Sequence, residues 1–206
     1  MLAALLLGAA ATLAMPSDLA TKFSWLDYPR EDERELRSAA AIIEFLIGPD
    51  GQPLKCVAPT TYGDPELAAK ICPIVLGKHF KPATFLDGAP AYGFVRTLLR
   101  FFDPRTEAGV KIGEMQLPVD FELTDDKLPS NGRAFSIWVA FAVNEAGVAT
   151  DCGAPPKETH KAAADLVCRA RNGTDLGQRT DVAGRPIAYV TYKLVRLIPK
   201  AAQSAK

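Results

Sequence analysis

Residues 56–72 read CVAPTTYGDPELAAKIC, and residues 152–168 read CGAPPKETHKAAADLVC. Each segment is closed by cysteines 16 residues apart (72 − 56 and 168 − 152), and the pairs are offset by 96 residues (152 − 56). At that single offset, with no gap, Phe45 meets Phe141, Gly51 meets Gly147, Pro59 meets Pro155 and Ala68 meets Ala164. Further on, Gly88 meets Gly184, Pro90 meets Pro186 and Arg100 meets Arg196. Coincident glycines and prolines mark positions where the backbone restricts the choice of residue. The chain is therefore an internal repeat, with units of about eighty residues. Upstream, Phe23, Ser24 and Trp25 stand opposite Val119, Asp120 and Phe121, and both segments alternate apolar with polar residues.

Outward from the first cysteine pair, residues 41–47 form a β-rich run followed by the turn Gly48-Pro49-Asp50-Gly51. The return strand is expected over 53–58, ended by Pro59. Asp64, Pro65 and Glu66 supply a cap, a first-turn proline and a first-turn acid. They precede an apolar set at helical spacing (Leu67, Ala68, Ile71, Cys72, Val75, Leu76), which predicts a helix ending near Gly77. After Asp87-Gly88 a long strand is expected over 91–102. The second copy repeats the order with a strand over 135–143, a turn at 144–147, a strand over 148–153, a helix over 159–171 and a strand over 186–198. Residues 103–116, with Pro104, Gly109 and Gly113 among charged neighbours, read as a linker. The units run from 21 to 102 and from 117 to 199, with a disordered tail over 200–206.

Of the 206 residues, 48% are hydrophobic, and 24 basic side chains balance 24 acidic ones, without a basic cluster that would mark a nucleic-acid partner. Residues 1–14 are uncharged and made almost wholly of Leu, Ala and Gly, ending in Thr12-Leu13-Ala14. This reads as a secretory signal cleaved after Ala14, though without a basic start, and it places the chain in the periplasm. The alternative is an uncleaved anchor in the inner membrane. Four cysteines in equal spacing behind an export signal favour structural disulfides Cys56–Cys72 and Cys152–Cys168, each joining a strand to the following helix. Metal and redox roles are disfavoured, because His79 and His160 do not align between copies and there is no CxxC motif.

With these elements in place, the chain resembles the C-terminal domain of TonB energy transducers. The residues that carry the resemblance are Asp27-Tyr28-Pro29-Arg30, the run 42–47, Asp50-Gly51, Phe80-Lys81-Pro82-Ala83, Asp87-Gly88 and the strand reaching Phe101-Phe102. It covers the first copy well and the second partly, since Leu176-Gly177-Gln178-Arg179 replaces the Phe-x-Pro-Ala segment. What it implies is an α+β fold of two tandem small domains, each a three-stranded antiparallel sheet with one helix packed on it. It also implies a partner, such as a TonB-dependent outer-membrane receptor or another envelope protein, bound by β-strand addition. A soluble, non-enzymatic binding module is the favoured reading, since a full transmembrane anchor and a long Pro-rich spacer are missing.

On that reading the exposed sheet edge is the strand 91–102 or its counterpart 187–198, with Arg96 and Arg100 as the candidate partner-binding residues. Two internal arrangements compete with it: residues 117–123 pairing with one copy, or the two sheets joining. A structural envelope protein without a transporter partner is the alternative function, and an unrecognised enzyme the more remote one. No GxSxG, HExxH or phosphate loop occurs, and Asp50 and Asp87 read as turn residues. No catalytic residue, metal or cofactor is expected.

Overall fold

The computed structural model describes residues 13–15, 19–128, 133–156 and 158–200. In chain order the elements are α1 (Leu19–Lys22), a 3-10 turn (Trp25–Asp27), α2 (Arg30–Arg34), β1 (Ala39–Ile47), β2 (Pro53–Gly63), α3 (Pro65–Leu76), β3 (Ala83–Thr84) and β4 (Pro90–Phe101). They continue with α4 (Glu107–Glu114), β5 (Phe121–Asp125), β6 (Phe135–Val143), β7 (Ala149–Gly153), α5 (Lys161–Arg171), β8 (Arg179–Thr180), β9 (Pro186–Ile187) and β10 (Tyr189–Pro199). The fold is mixed α+β, consistent with a strand, strand, helix, strand order in each half. The short strands β3, β8 and β9 and the strand β5 are additional, and the two halves share one eight-stranded sheet.

Local chemistry accounts for most boundaries. The Asp64 side chain accepts the Leu67 amide at 2.9 Å, Pro65 opens α3, and Leu67, Ala68, Ile71 and Val75 turn inward from it. Strand β2 runs past Pro59 to Gly63, beyond the expected end at 58. It lies at the outer edge of the sheet, where a proline without an N–H breaks no ladder, and a register shift between Ile42 and Glu44 absorbs the irregularity. The expected strand 186–198 is broken at Ala188: β9 pairs with β8 as a separate ribbon before β10 begins.

The linker is not unstructured. Thr106 caps α4 by accepting the Gly109 amide at 2.9 Å. Its glycines serve close approach, since a Cβ on Gly109 would lie 1.8 Å from the Asp103 carbonyl oxygen and one on Gly113 would lie 2.8 Å from the Phe102 ring. Upstream the two copies part company: Trp25 begins a 3-10 turn, whereas Phe121 begins a strand.

The main sheet runs β2-β1-β4-β10-β6-β7, so the last strand of each copy is central. Strands β4 and β10 are parallel neighbours over Tyr92–Phe94 and Tyr189–Thr191. A parallel junction between two copies of one motif amounts to a half-turn about the strand direction. The helices accordingly lie on opposite faces, α3 over Ile43, Phe45 and Val95, and α5 over Ile137, Phe141 and Tyr189. The disulfides Cys56–Cys72 and Cys152–Cys168 tie each helix to its own outer strand, with Cα separations of 5.5 and 5.4 Å.

Leu13 and Met15 pack into the core beside α3, Ala14 exchanges backbone hydrogen bonds with Thr84, and the Met15 amide donates to the Tyr192 hydroxyl at 3.2 Å. The rest of the expected signal segment, residues 1–12, lies outside the described residues, as does the expected tail over 200–206 except for Lys200. Among the described residues no helix is long and apolar enough to cross a membrane.

Replacing Cys56 and Cys72 together by alanine releases a loop of about 15 residues and is expected to lower stability by about 3 kcal/mol. Urea unfolding without reductant measures it; an unchanged midpoint means that packing alone holds α3 on β2.

Candidate functional site

At the middle of the sheet β4 and β10 separate beyond Phe94 and Thr191, and β5 takes over the vacated edge of β10, pairing in parallel from Val195 to Pro199. Asp120 stands at this fork. Its amide donates to the Leu194 carbonyl, and its Oδ2 accepts the Leu194 amide, both at 2.8 Å. Its other oxygen, Oδ1, lies 3.5 Å from Arg96 and 3.7 Å from Lys193. All three side chains are largely buried, between 11% and 19% exposed. Burial lowers the pKa of the Lys193 ammonium, with Asp120 working against that shift.

This places the two arginines singled out from the sequence. Arg96 donates to the Pro118 carbonyl at 2.9 Å, and Arg100 donates to the Gly113 and Met115 carbonyls at 2.5 and 2.8 Å. Their guanidinium groups hold the linker against β4. The strand over 91–102 pairs with β1 along one side but with β10 only over Tyr92–Phe94, so its second edge from Val95 to Phe101 carries no partner strand among the described residues. The strand over 187–198 has β6 on one side and β4 then β5 on the other. Both competing arrangements occur: the two sheets join, and the segment after the linker adds a strand. The strands at the two ends of the main sheet are β2 and β7.

A cleft of about 230 Å³ opens on the face of the first copy opposite α3, between β1 and β2 on one side and the segment 178–180 on the other. Arg179 crosses it, its guanidinium 4.1 Å from the centre of the Phe94 ring, and its Nε is buried without a hydrogen-bond partner. Lys55 points into the same cleft from β2, with Leu46, Val57 and Glu44 in the lining. Among the described residues neither Lys55 nor Arg179 forms an ion pair. The sequence drew attention to this segment only as a departure from the first copy, with Arg179 at the position of Ala83 (179 − 96).

Asp50 and Asp87 accept the amides of Gln52 and Ala89 at 3.0 and 2.9 Å, so both carboxylates are occupied by their turns. His160 lies 3.0 Å from Glu158, and among the described residues no group of three or more His, Cys, Asp or Glu side chains is placed to hold a metal ion.

No family model, curated protein or solved structure matches the chain.

Two measurements test these electrostatics. Asp120→Asn leaves Arg96 and Lys193 without a carboxylate and is expected to cost about 3 kcal/mol in urea unfolding. Lys193→Met, which removes a buried charge, costs less; equal losses mean that the fork does not depend on charge. The second concerns Asp103, where hydrogen bonds from Arg105 bring the carboxyl down to about 2 from its ordinary 3.8. A folded value below the unfolded one stabilises the ionised form, so this contribution is complete above pH 3.8 and is lost as pH falls towards 2. Asp103→Asn is expected to flatten the fall in stability between about pH 4 and pH 2 in acid titrations of unfolding. An unaltered acid limb assigns that fall to other carboxyls.

Proposed function

We propose that the chain is a periplasmic protein-binding module made of two tandem TonB C-terminal-like units, the second diverged, which takes an extended segment of an envelope partner by β-strand addition. A TonB-dependent outer-membrane receptor is the partner class the resemblance implies. Catalysis is not part of this reading.

The observation that carries it is the outward edge of β2. This is an eleven-residue strand, Pro53–Gly63, terminal in the sheet, with Lys55 as its single charged side chain and with Val57 and Tyr62 exposed at 43% and 38%. A long edge with so little charge is an acceptor for another strand unless something covers it. Strand β7 spans only Ala149–Gly153, which gives an added strand less than half that length to pair with. The two disulfides fit an oxidising compartment.

Placing a photo-crosslinking amino acid at Tyr62 on β2, and separately at Leu98 on β4, two strands further in, separates the β2 edge from the rest of the sheet. The expected result in cells is a defined adduct with an envelope protein from position 62 and none from 98. Adducts from both positions alike, or from neither, overturn strand addition at β2.

A further inference from the structure

We infer that the cleft beside β2 is a carboxylate-binding site, and that the segment added at this edge is acidic, with a glutamate or aspartate side chain entering between Lys55 and Arg179. This rests on the strand-addition reading and names the chemistry of its partner.

Three observations support it. The first is the charge left over on this face. Arg96 and Lys193 share Asp120, whereas Lys55 and Arg179 have no carboxylate within ion-pair distance among the described residues. Glu44 lines the cleft and stands opposite Arg96 in the β1–β4 register, yet it bonds to neither Lys55 nor Arg179. The second is the Arg179 guanidinium, a permanently charged donor whose buried Nε has no acceptor and whose Nη1 reaches only the Gln178 carbonyl, at 3.4 Å. Such a donor is costly to leave unmade, and a carboxylate is its natural fork-shaped complement. The third is its placement. Stacking on Phe94 holds the Arg179 guanidinium at a fixed position, so little side-chain freedom is lost when an anion arrives. Lys55 and Val57 share the cleft side of β2, while Cys56 between them turns towards α3. A strand laid along this edge presents alternate side chains to that side, which is the geometry an acidic residue needs to reach the cleft.

The test uses the full chain and a fluorescein-labelled peptide of three Thr-Glu-Val-Glu repeats, with a twin carrying glutamine for every glutamate. Anisotropy titration at low salt is expected to show at least tenfold tighter binding of the acidic peptide. Arg179→Gln should weaken it about tenfold and Lys55→Gln several-fold, the latter at an exposed position that keeps the fold. Arg185→Gln, at an exposed cation whose partner is Asp181 outside the cleft lining, should leave affinity unchanged. Equal binding of the two peptides, no effect of either cleft variant, or full displacement of the peptide by millimolar inorganic phosphate at constant ionic strength overturns the assignment. Hydrogen exchange along β2 distinguishes this from the failure of strand addition. Binding that depends on Arg179 without slowed β2 amides keeps the carboxylate site and removes the added strand. Slowed amides without dependence on Arg179 or Lys55 do the reverse.

Discussion

Asp120 fixes how the two halves of the molecule meet. A parallel junction three residues long is a weak seam by itself, and once β4 turns away, the edge of β10 would present unpaired amides in the middle of a sheet. The Asp120 carboxylate and backbone bond to both backbone groups of Leu194, β5 continues the ladder, and the same carboxylate compensates the two cations that the separating strands bring inward. Arg96 in turn holds Pro118, which sets where the linker arrives. The position of β5, the path of the linker and the burial of Lys193 all follow from one side chain at the fork.

The repeat was legible because its most constrained positions survive at a single offset. The cysteines, Asp64 with Pro65, and the glycine turns each place an element where it is found. Residues 103–116 gave no sign of α4 because Gly109 and Gly113 look like flexible joints, while their role is to let α4 approach the Asp103 carbonyl and the Phe102 ring. Contacts of that kind involve partners brought in by tertiary folding, so local pattern carries no trace of them. The same limit applies to the sheet edges. Alternation along 91–102 says that one face is buried, and β4 obeys it, but nothing in a strand's own residues states which strand lies beside it.

The half-turn relating the copies has a further consequence. Each copy uses its own helix to cover one face of its strands, and the opposite face is left to whatever the other parts of the chain supply. For the second copy that cover includes Leu13 and Met15, which pack with Ala140, Ala142 and Val190. For the first copy it is the linker and the segment 178–180. Equivalent positions in the two copies therefore face unlike surroundings even where the backbone pairing is the same.

Arg179 illustrates the point. Its counterpart by the repeat, Ala83, is buried on β3 against β4, where a charged side chain would have no solvent and no partner. In the second copy the corresponding β8 keeps the same pairing at the 96-residue offset, Arg179 opposite Ile187 and Thr180 opposite Pro186, and the Arg179 side chain reaches across to Phe94 of the first copy. Leu176-Gly177-Gln178-Arg179, which stands where the first copy has Phe80-Lys81-Pro82-Ala83, thus has a contact of its own. With the pairing kept, the exchange of alanine for arginine lets the segment build one wall of a cleft on the other copy, where the cation has an aromatic ring to rest on and a free strand edge nearby. A chain with one unit has neither that wall nor that cation, so the carboxylate site proposed for this face would be a property of the joined pair.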